Sequence, residues 1–407
     1  MARSGGAPVL IVGGGIGGLA TALALARRGR EVHVLEKAAQ FGEIGAGLQL
    51  APNASHALAQ LGILDLLAPY AVRPRRIVWR DARSGNLVTE LDLGARFQER
   101  YGYPYLVMHR GDLLDVLLAA CRAEGRIVLE SGRTVIDVEE RDAGVRIYTA
   151  DGAAFDGVAC VAADGLWSKL RALVHADGDP IPARYVAYRG TFPVSALWDG
   201  AGLEDVTLWT GHGLHLVQYP IRGGELFNQV AVFRSDRFRA DSDDWGTPDE
   251  LDARFAGGCA PVLAGIERIG RERRWTMYDR EPIGCWTRGR LALLGDAAHP
   301  MLQYLAQGAC QALEDAVVLA HALDAAEDEP SGFLAYQQQR YLRTARVQYS
   351  ARLFGEIWHV NEVGATLRDA MLARRAPDDF THLEWLYGWR PPSNVRGTAR
   401  LPRIFRG

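Results

Sequence analysis

Val9-Leu10-Ile11-Val12-Gly13-Gly14-Gly15-Ile16-Gly17-Gly18 is the stretch whose reading decides the architecture. Four apolar residues in a row are the signature of a strand buried on both faces of a parallel sheet. The glycines that follow spell G-x-G-x-x-G through Gly13, Gly15 and Gly18, and an Ala/Leu-rich segment from Leu19 to Arg28 predicts a helix that Gly29 stops. Val32-His33-Val34-Leu35 is the next strand, so the glycines sit between strand and helix, the context that gives a weak pattern meaning. Gly13 permits the tight turn, Gly15 lets a pyrophosphate approach the backbone, and Gly18 lets helix and strand pack closely. The helix N-terminus offers unpaired N–H groups and a partial positive charge to phosphates. Glu36 ends the second strand 23 residues after Gly13, where an acid can hold ribose hydroxyls. The unit predicts a bound adenine dinucleotide.

The rest of the composition removes other classes of function. At 407 residues the chain is long enough for two or three domains, and folding buries roughly three-quarters of its unfolded surface. Hydrophobic residues at 48% and charged residues at 23% argue against general disorder. Lys+Arg of 46 against Asp+Glu of 49 leaves a net charge of −3, which excludes nucleic-acid binding through bulk electrostatics. Five cysteines without a C-x-x-C pair argue against a disulfide framework or a metal site, and fit a reducing compartment. Pro8 to Ala26 is nearly uncharged, but six glycines between Gly13 and Gly29 make a poor membrane helix, and only Arg3 precedes it as a positive flank. A cytoplasmic protein with no membrane span is expected.

Farther along, Ile77 to Tyr101 breaks into strand-like pieces around a Ser84-Gly85-Asn86 turn, and Arg110 to Ala123 reads as a helix followed by short strands up to Val161. Pro182 to Trp275 is rich in aromatics and β-formers, with a hairpin of Leu214–Pro220, Gly223-Gly224 and Leu226–Phe233. A buried strand, Leu291 to Leu294, leads to a helix from about Gly308 to Leu323. Glu327-Asp328-Glu329-Pro330 reads as a surface loop, Phe333 to Trp358 as one or two long helices, and the tail with Pro391, Pro392 and Pro402 as an extended strap. The expected fold is α/β: a Rossmann-like nucleotide-binding domain, residues 1–76, 102–181 and 276–325, with an inserted mainly-β substrate domain, 77–101 and 182–275. A helical C-terminal region, 326–407, completes it.

Two more segments bear on the ligand. Asp164-Gly165-Leu166-Trp167-Ser168-Lys169-Leu170-Arg171 has the form D-G-x-x-S-x-x-R after an apolar strand, Val158 to Ala163. Gly295-Asp296-Ala297-Ala298-His299-Pro300 joins a strand to a helix. Alone, D-G and G-D are turn chemistry. In this order and spacing, the three motifs resemble the single-component FAD-dependent aromatic hydroxylases over nearly the whole chain. That resemblance implies tightly bound FAD held by the first and third motifs, with Asp296 at the ribitol or pyrophosphate. It implies Asp164 at the pyrophosphate and in nicotinamide handling, and Arg110 against the flavin. No second fingerprint occurs, which fits a family that binds NADH or NADPH only transiently. If Leu305 to Ala309 lies against the flavin, the helix starting at Gly308 and Ala309 favours negative charge on the reduced ring.

Substrate recognition falls to the insert. In Leu214–Pro220 the side chains of His215, Val217 and Tyr219 share a face, and His215 and Tyr219 are expected about 7 Å apart, bracketing a phenol. Gln303-Tyr304-Leu305-Ala306-Gln307-Gly308-Ala309-Cys310, after His299-Pro300, looks like the 3-hydroxybenzoate 6-hydroxylases, as does Leu386-Tyr387-Gly388-Trp389. Relatives acting on salicylate or 6-hydroxynicotinate often carry Pro-His after the corresponding pair. The resemblance implies that Gln303, His215 and Tyr219 face the aromatic substrate. It implies further that NADH reduces FAD, and that O2 captured as a flavin C4a-hydroperoxide attacks the ring to give gentisate. His215, with an unperturbed pKa of roughly 6.5, is the expected base, Tyr219 a relay and Gln303 an orienting group. For the substrate carboxylate, Arg189, His212, Tyr103 and Tyr105 are all open. The competing readings are a salicylate or pyridine-acid hydroxylase, a hydroxylase of a larger phenol, a dinucleotide-binding protein without redox chemistry, and an oxidase that yields only peroxide. Family likeness favours a homodimer built on the helices after Phe333.

Overall fold

The computed structural model describes residues 6–42, 45–198, 201–239, 242 and 244–392. Val9–Val12 lies inside a six-stranded sheet, between Ala159–Ala162 and Val32–Leu35, both parallel to it. Leu291–Leu293 and Ile127–Glu130 extend the parallel set outward, and only the edge strand Thr287–Arg288 runs antiparallel. Every residue of Val9–Val12 and Ala159–Ala162 is buried, as a sheet covered on both faces requires. The first helix, Ile16–Ala26, packs on Arg110–Ala123 and Gly308–Ala325 and buries all but one of its residues. It begins three residues before the expected Leu19, because Gly17 and Gly18, poor helix formers in isolation, permit the close approach that the packing rewards.

The second large sheet has seven strands, in the order Trp275–Asp279, Ile181–Pro193, Leu226–Arg234, Leu214–Ile221, Asp205–Gly211, Arg76–Asp81 and Leu87–Asp92. Its first strand continues past residue 275, where the insert was expected to end. The hairpin is present in register, Leu214 opposite Phe233 and Ile221 opposite Leu226, and the turn uses the left-handed backbone of Gly223 and Gly224. Three expectations need correction. Ala95–Tyr101 is a helix and not a strand-like piece, with Phe97 and Tyr101 buried one turn apart. Two helices, Pro248–Phe255 and Ala260–Glu267, interrupt the β-rich stretch, each with a proline in its first turn. Glu327 to Pro330 is not simply a loop: the Asp328 side chain caps the helix Glu329–Trp358 and accepts from the N–H of Ser331 at 2.9 Å.

Alternation gives this sheet two unlike faces. Leu216, Ala231, Phe233, Val186 and Tyr188 pack under the two helices, against Leu251, Phe255, Val262 and Ile266. The opposite face, carrying His215, Val217 and Tyr219, looks toward the nucleotide-binding half, whose core takes in Tyr219 and Ile221. Helix Glu329–Trp358 spans both halves, burying Phe333, Tyr336 and Arg340 near one end and bringing Trp358 against the second sheet at the other. Of the expected C-terminal strap, Pro391 and Pro392 have no regular secondary structure, and Pro402 lies outside the described residues.

Candidate active site

Each glycine of the first motif can be tested by what a side chain there would meet. At Gly13, whose φ is +110°, a Cβ would collide with the carbonyl of Ala163, and at Gly18 with the carbonyl of Gly13. Among the described residues, nothing lies within 4 Å of where a Cβ on Gly15 would stand. Gly15 is also the N-cap of the first helix and supplies no side-chain cap, so no cap side chain satisfies the first-turn N–H groups. Glu36 stands beside this loop, accepting from the N–H of Gly14 at 2.6 Å and of Ala38 at 2.8 Å.

A second helix start opens nearby. Asp296 is exposed although its neighbours Leu291–Gly295 and Ala297–Pro300 are buried, and a Cβ on Gly308 would lie 3.8 Å from its Oδ1. Gly308 and Ala309 are half-buried, and the N-cap Gln307 makes no side-chain cap. Asp164 accepts from the N–H of Lys169 at 3.1 Å, while its Oδ1 is buried without a hydrogen-bond partner. Burial pushes its carboxyl above the usual range, against a hydrogen bond from Ser168. Arg110 opens the helix Arg110–Ala123, and its N–H donates to Ala46 at 3.0 Å, tying down the loop before Gly47. An uncapped helix start, a glycine with vacant space over it and an orphaned carboxylate oxygen fit FAD. Gly13, Gly15, Gly18 and Glu36 would hold its adenylate side, and Asp164, Asp296, Gly308, Ala309 and Arg110 its pyrophosphate, ribitol and ring.

Arg171, the last letter of the second motif, has a structural task that the sequence reading left unassigned. It is 1% exposed and donates to the carbonyls of Ala297 at 2.9 Å and Ala298 at 2.8 Å while pairing with Asp177 at 2.6 Å. The same loop is held from behind by His299, whose Nε2 lies 2.6 Å from Asp315, and Asp315 in turn pairs with Arg340 at 2.6 Å. Burial alone would raise the Asp315 carboxyl, but His299 and Arg340 outweigh it and hold it at about 2.

The second sheet contributes a pocket floor. Within Leu214–Ile221 and Leu226–Arg234, the interior positions that are only half-buried are Val217 and Val230, and these two are cross-strand partners. Arg189, half-buried, is the partner of Val230 on its other side. Arg189, Val230 and Val217 therefore form one row across three strands. Over it, the Gln303–Leu305 turn brings the Gln303 side chain to accept from Arg189 at 2.8 Å. Met301, Leu305 and Leu48 supply half-buried apolar surface on the nucleotide-binding side.

His215 and Tyr219 lie at opposite ends of this floor, and the expected spacing of about 7 Å belongs to a two-residue step. Four residues of rise separate them by about 13 Å, so each is about 6.6 Å along the strand from Val217. At one end His215 is 1% exposed, with Tyr304, Trp358 and His359 around it at centroid distances of 5.5, 5.2 and 5.0 Å. Burial, aided by His359, pushes its pKa well below the usual histidine value, so the imidazole is neutral. At the other end burial pushes the Tyr219 phenol up, opposed by the charge of Arg189 and a hydrogen bond with Gln49. Tyr105 donates to Gln49 at 2.7 Å, and Asn228, opposite Tyr219, accepts from the N–H of Gly47 at 2.6 Å with its Nδ2 buried and unsatisfied.

Of the four open carboxylate partners, Arg189 and Tyr105 adjoin this pocket. His212 is exposed on a turn, and Tyr103 packs edge-on to His56 at 4.5 Å. The sequence reading missed Gln49, Asn228 and His359. Asn228 was readable in principle, since the hairpin register places it beside Tyr219; Gln49 and His359 carry no local signal.

Comparison with known proteins bears on the family. A model of the family described as "FAD binding domain" matches residues 6–351. The 3-hydroxybenzoate 6-hydroxylase of Polaromonas naphthalenivorans is 41% identical over 389 residues, 94% of this chain and 96% of its own length. The 3-hydroxybenzoate 6-hydroxylase 1 of Aquipseudomonas alcaligenes is 39% identical, with 93% and 97% covered. Among solved structures, Klebsiella pneumoniae HpxO complexed with FAD and uric acid superposes with a TM-score of 0.80 at 29% identity, covering 94% of this chain and 96% of that one. On this match, which takes in both helix starts and the pocket between them, the chain belongs to the FAD-binding-domain family of flavin-dependent aromatic hydroxylases.

Proposed function

We propose that the enzyme hydroxylates 3-hydroxybenzoate at carbon 6, giving 2,5-dihydroxybenzoate (gentisate), with NADH as reductant. The carrying observation is the pocket itself: an apolar Val217–Val230 floor with a neutral imidazole at one end and a guanidinium, hydrogen-bonded to Gln303, at the side. Such a pocket suits a flat ring bearing a hydroxyl and a carboxylate. The curated relatives named for this substrate cover nearly the whole chain.

FAD, when bound, takes electrons from the reduced nicotinamide and activates O2. The protein's share is to seat the ring over Val217 and Val230, to keep it oriented through Gln303, and to draw the proton off the phenol. His215 is the base: the phenol proton goes to its ring nitrogen, the electron pair stays on oxygen, and electron density rises para to it, at carbon 6. Tyr219 steadies the opposite side of the pocket and is not within direct reach of His215 as a relay. Arg189 is assigned to the carboxylate, since it is the cation on the floor.

Exposed Leu342, Tyr349 and Leu353 on the long helix, with Val363, Leu367 and Met371 on the helix Glu362–Leu372, support a homodimer. The five cysteines, all free, support a reducing cytoplasm; among the described residues no helix is long and apolar enough to cross a membrane. The test is to incubate the purified protein with NADH, O2 and, separately, 3-hydroxybenzoate, salicylate and 6-hydroxynicotinate, identifying products and measuring peroxide. Gentisate matching NADH consumed supports the proposal. A hydroxylated product from another acid, with only peroxide from 3-hydroxybenzoate, refutes it.

A further inference from the structure

His359 ends the helix Glu329–Trp358 and is fixed there by its backbone. Its N–H donates to Gly355 at 3.2 Å, and its carbonyl accepts from Gly213, two residues before His215, at 3.2 Å. The residue is 7% exposed, its ring stacked on Tyr185 at 4.8 Å, with Tyr304 edge-on at 5.4 Å and the His215 ring at 5.0 Å and 23° from parallel. Its Nε2 lies 2.8 Å from Nδ1 of His215, and its own Nδ1 is buried with no hydrogen-bond partner. Among the described residues, the one polar contact of this imidazole is thus His215.

A hydrogen bond between two neutral imidazoles has a direction, and the direction decides what His215 can do. If His359 donates, His215 keeps its proton on Nε2 and offers the pocket a donor. If His215 donates from Nδ1, its Nε2 is a lone pair facing outward from the contact. Only the second arrangement can take a proton from a phenol. Building on the reading of His215 as the base, we infer that His359 is a positioning residue that accepts from Nδ1 of His215 and so holds it in the tautomer whose Nε2 removes the substrate proton. In the step, the phenol O–H bond breaks, an N–H bond forms at Nε2, and the electron pair remains on the phenolate. The resulting His215 imidazolium stays hydrogen-bonded through Nδ1–H to His359.

The surroundings keep His359 uncharged. Facing it are His215 and Tyr185 from two strands, Tyr304 from the turn before Gly308, His212 from the strand connection, Arg254 from Pro248–Phe255 and Arg368 from Glu362–Leu372; Glu356 lies one turn back on its own helix. Burial first, then electrostatic repulsion from His212, Arg254 and Arg368, lowers its pKa to about 3. It therefore stays uncharged near neutral pH, the condition under which its Nε2 can accept.

The test compares His359→Phe, which fills the space without an acceptor, with His359→Gln, whose side-chain oxygen can accept. In single-turnover experiments with 3-hydroxybenzoate, His359→Phe is expected to slow hydroxylation by about 10–10²-fold. His359→Gln is expected to recover most of it, and flavin reduction by NADH is expected to stay unchanged in both. The Phe defect should shrink as pH approaches the phenol's own value of about 10, where substrate arrives already deprotonated. Equal hydroxylation rates in both variants, or a defect that does not respond to pH, overturn the inference. Should His359→Phe fail to bind FAD, the tautomer is read in the unaltered holoenzyme by 15N–1H correlation of histidine-labelled protein, assigned with His215→Ala. A proton on Nδ1 of His215 supports the inference and one on Nε2 refutes it. Normal hydroxylation by His215→Ala would instead remove the base assignment itself, whereas a slow His215→Ala beside a normal His359→Phe removes only the role given to His359.

Discussion

Replacing Arg171 with Met should loosen the flavin loop from a distance. The aliphatic stem is kept, but the carbonyls of Ala297 and Ala298 lose donors now held at 2.9 and 2.8 Å in a buried site. A buried acceptor stripped of its donor costs about 1–3 kcal/mol. Asp177 is only partly stranded, because Arg280 still pairs with it at 2.9 Å, which keeps that contribution near about 1–2 kcal/mol. The expected loss is about 3–8 kcal/mol in unfolding free energy of the FAD-free protein. FAD affinity should fall as well, since Asp296 directly precedes the unclamped carbonyls. Urea unfolding with and without FAD measures both. Arg171→Lys should fall between, because an ammonium cannot reach two carbonyls and a carboxylate in the planar fork that guanidinium provides. A Met variant within about 1 kcal/mol of the parent, binding FAD equally well, would refute the clamp.

Three further outcomes are expected. Gly15→Ala should leave FAD-free stability unchanged and weaken FAD binding by about tenfold or more, about 1.4 kcal/mol, because its methyl enters open cofactor space. Gly18→Ala should destabilise the protein outright, its methyl meeting the Gly13 carbonyl; the same fluorescence titration and melts on both variants separate the two. His215→Ala should retain FAD and its reduction by NADH but lose about 10²–10⁴ in hydroxylation, and unchanged coupled turnover would sink the assignment. Stability should fall as pH drops below about 6.5. His56, lowered by burial to about 4, and His359, at about 3, stay neutral in the folded protein while their unfolded counterparts bind protons. The unfolded state therefore gains protons first and the stability is lost between about pH 6.5 and those values. Urea midpoints from pH 8 to 5 check the slope, and His56→Gln should flatten part of it.

What was legible in the sequence is what is encoded locally. The strands Val9–Val12 and Val32–Leu35 and the helix Arg110–Ala123 have the expected bounds, because apolar runs, glycine stops and a charged first turn are all short-range signals. The helices Pro248–Phe255 and Ala260–Glu267 were overlooked although their prolines mark helix starts; the aromatic residues around them belong to the packing they make with the sheet. The site was legible one side chain at a time. Val217 could be placed beside His215 and Tyr219 on one face, yet the row Val217–Val230–Arg189 exists only through pairing among three strands. The contacts of Arg171 with Ala297 and Ala298, and of His215 with His359, join residues 126 or more positions apart, beyond any motif.

The long helix Glu329–Trp358 also acts as a ruler. Arg340, locked to Glu314 and Asp315, and Trp358, seated against His215, are 18 residues apart, five whole turns at 3.6 residues per turn. Both side chains consequently leave the same side of the cylinder, about 27 Å from each other. One residue inserted between them would swing the far end by about 100° and carry Trp358 and His359 away from the strand they contact. Side chains in this segment can be exchanged singly, but its count of residues cannot change without breaking the register. The number of turns, more than the identity of any residue within them, registers the base against the flavin-binding half.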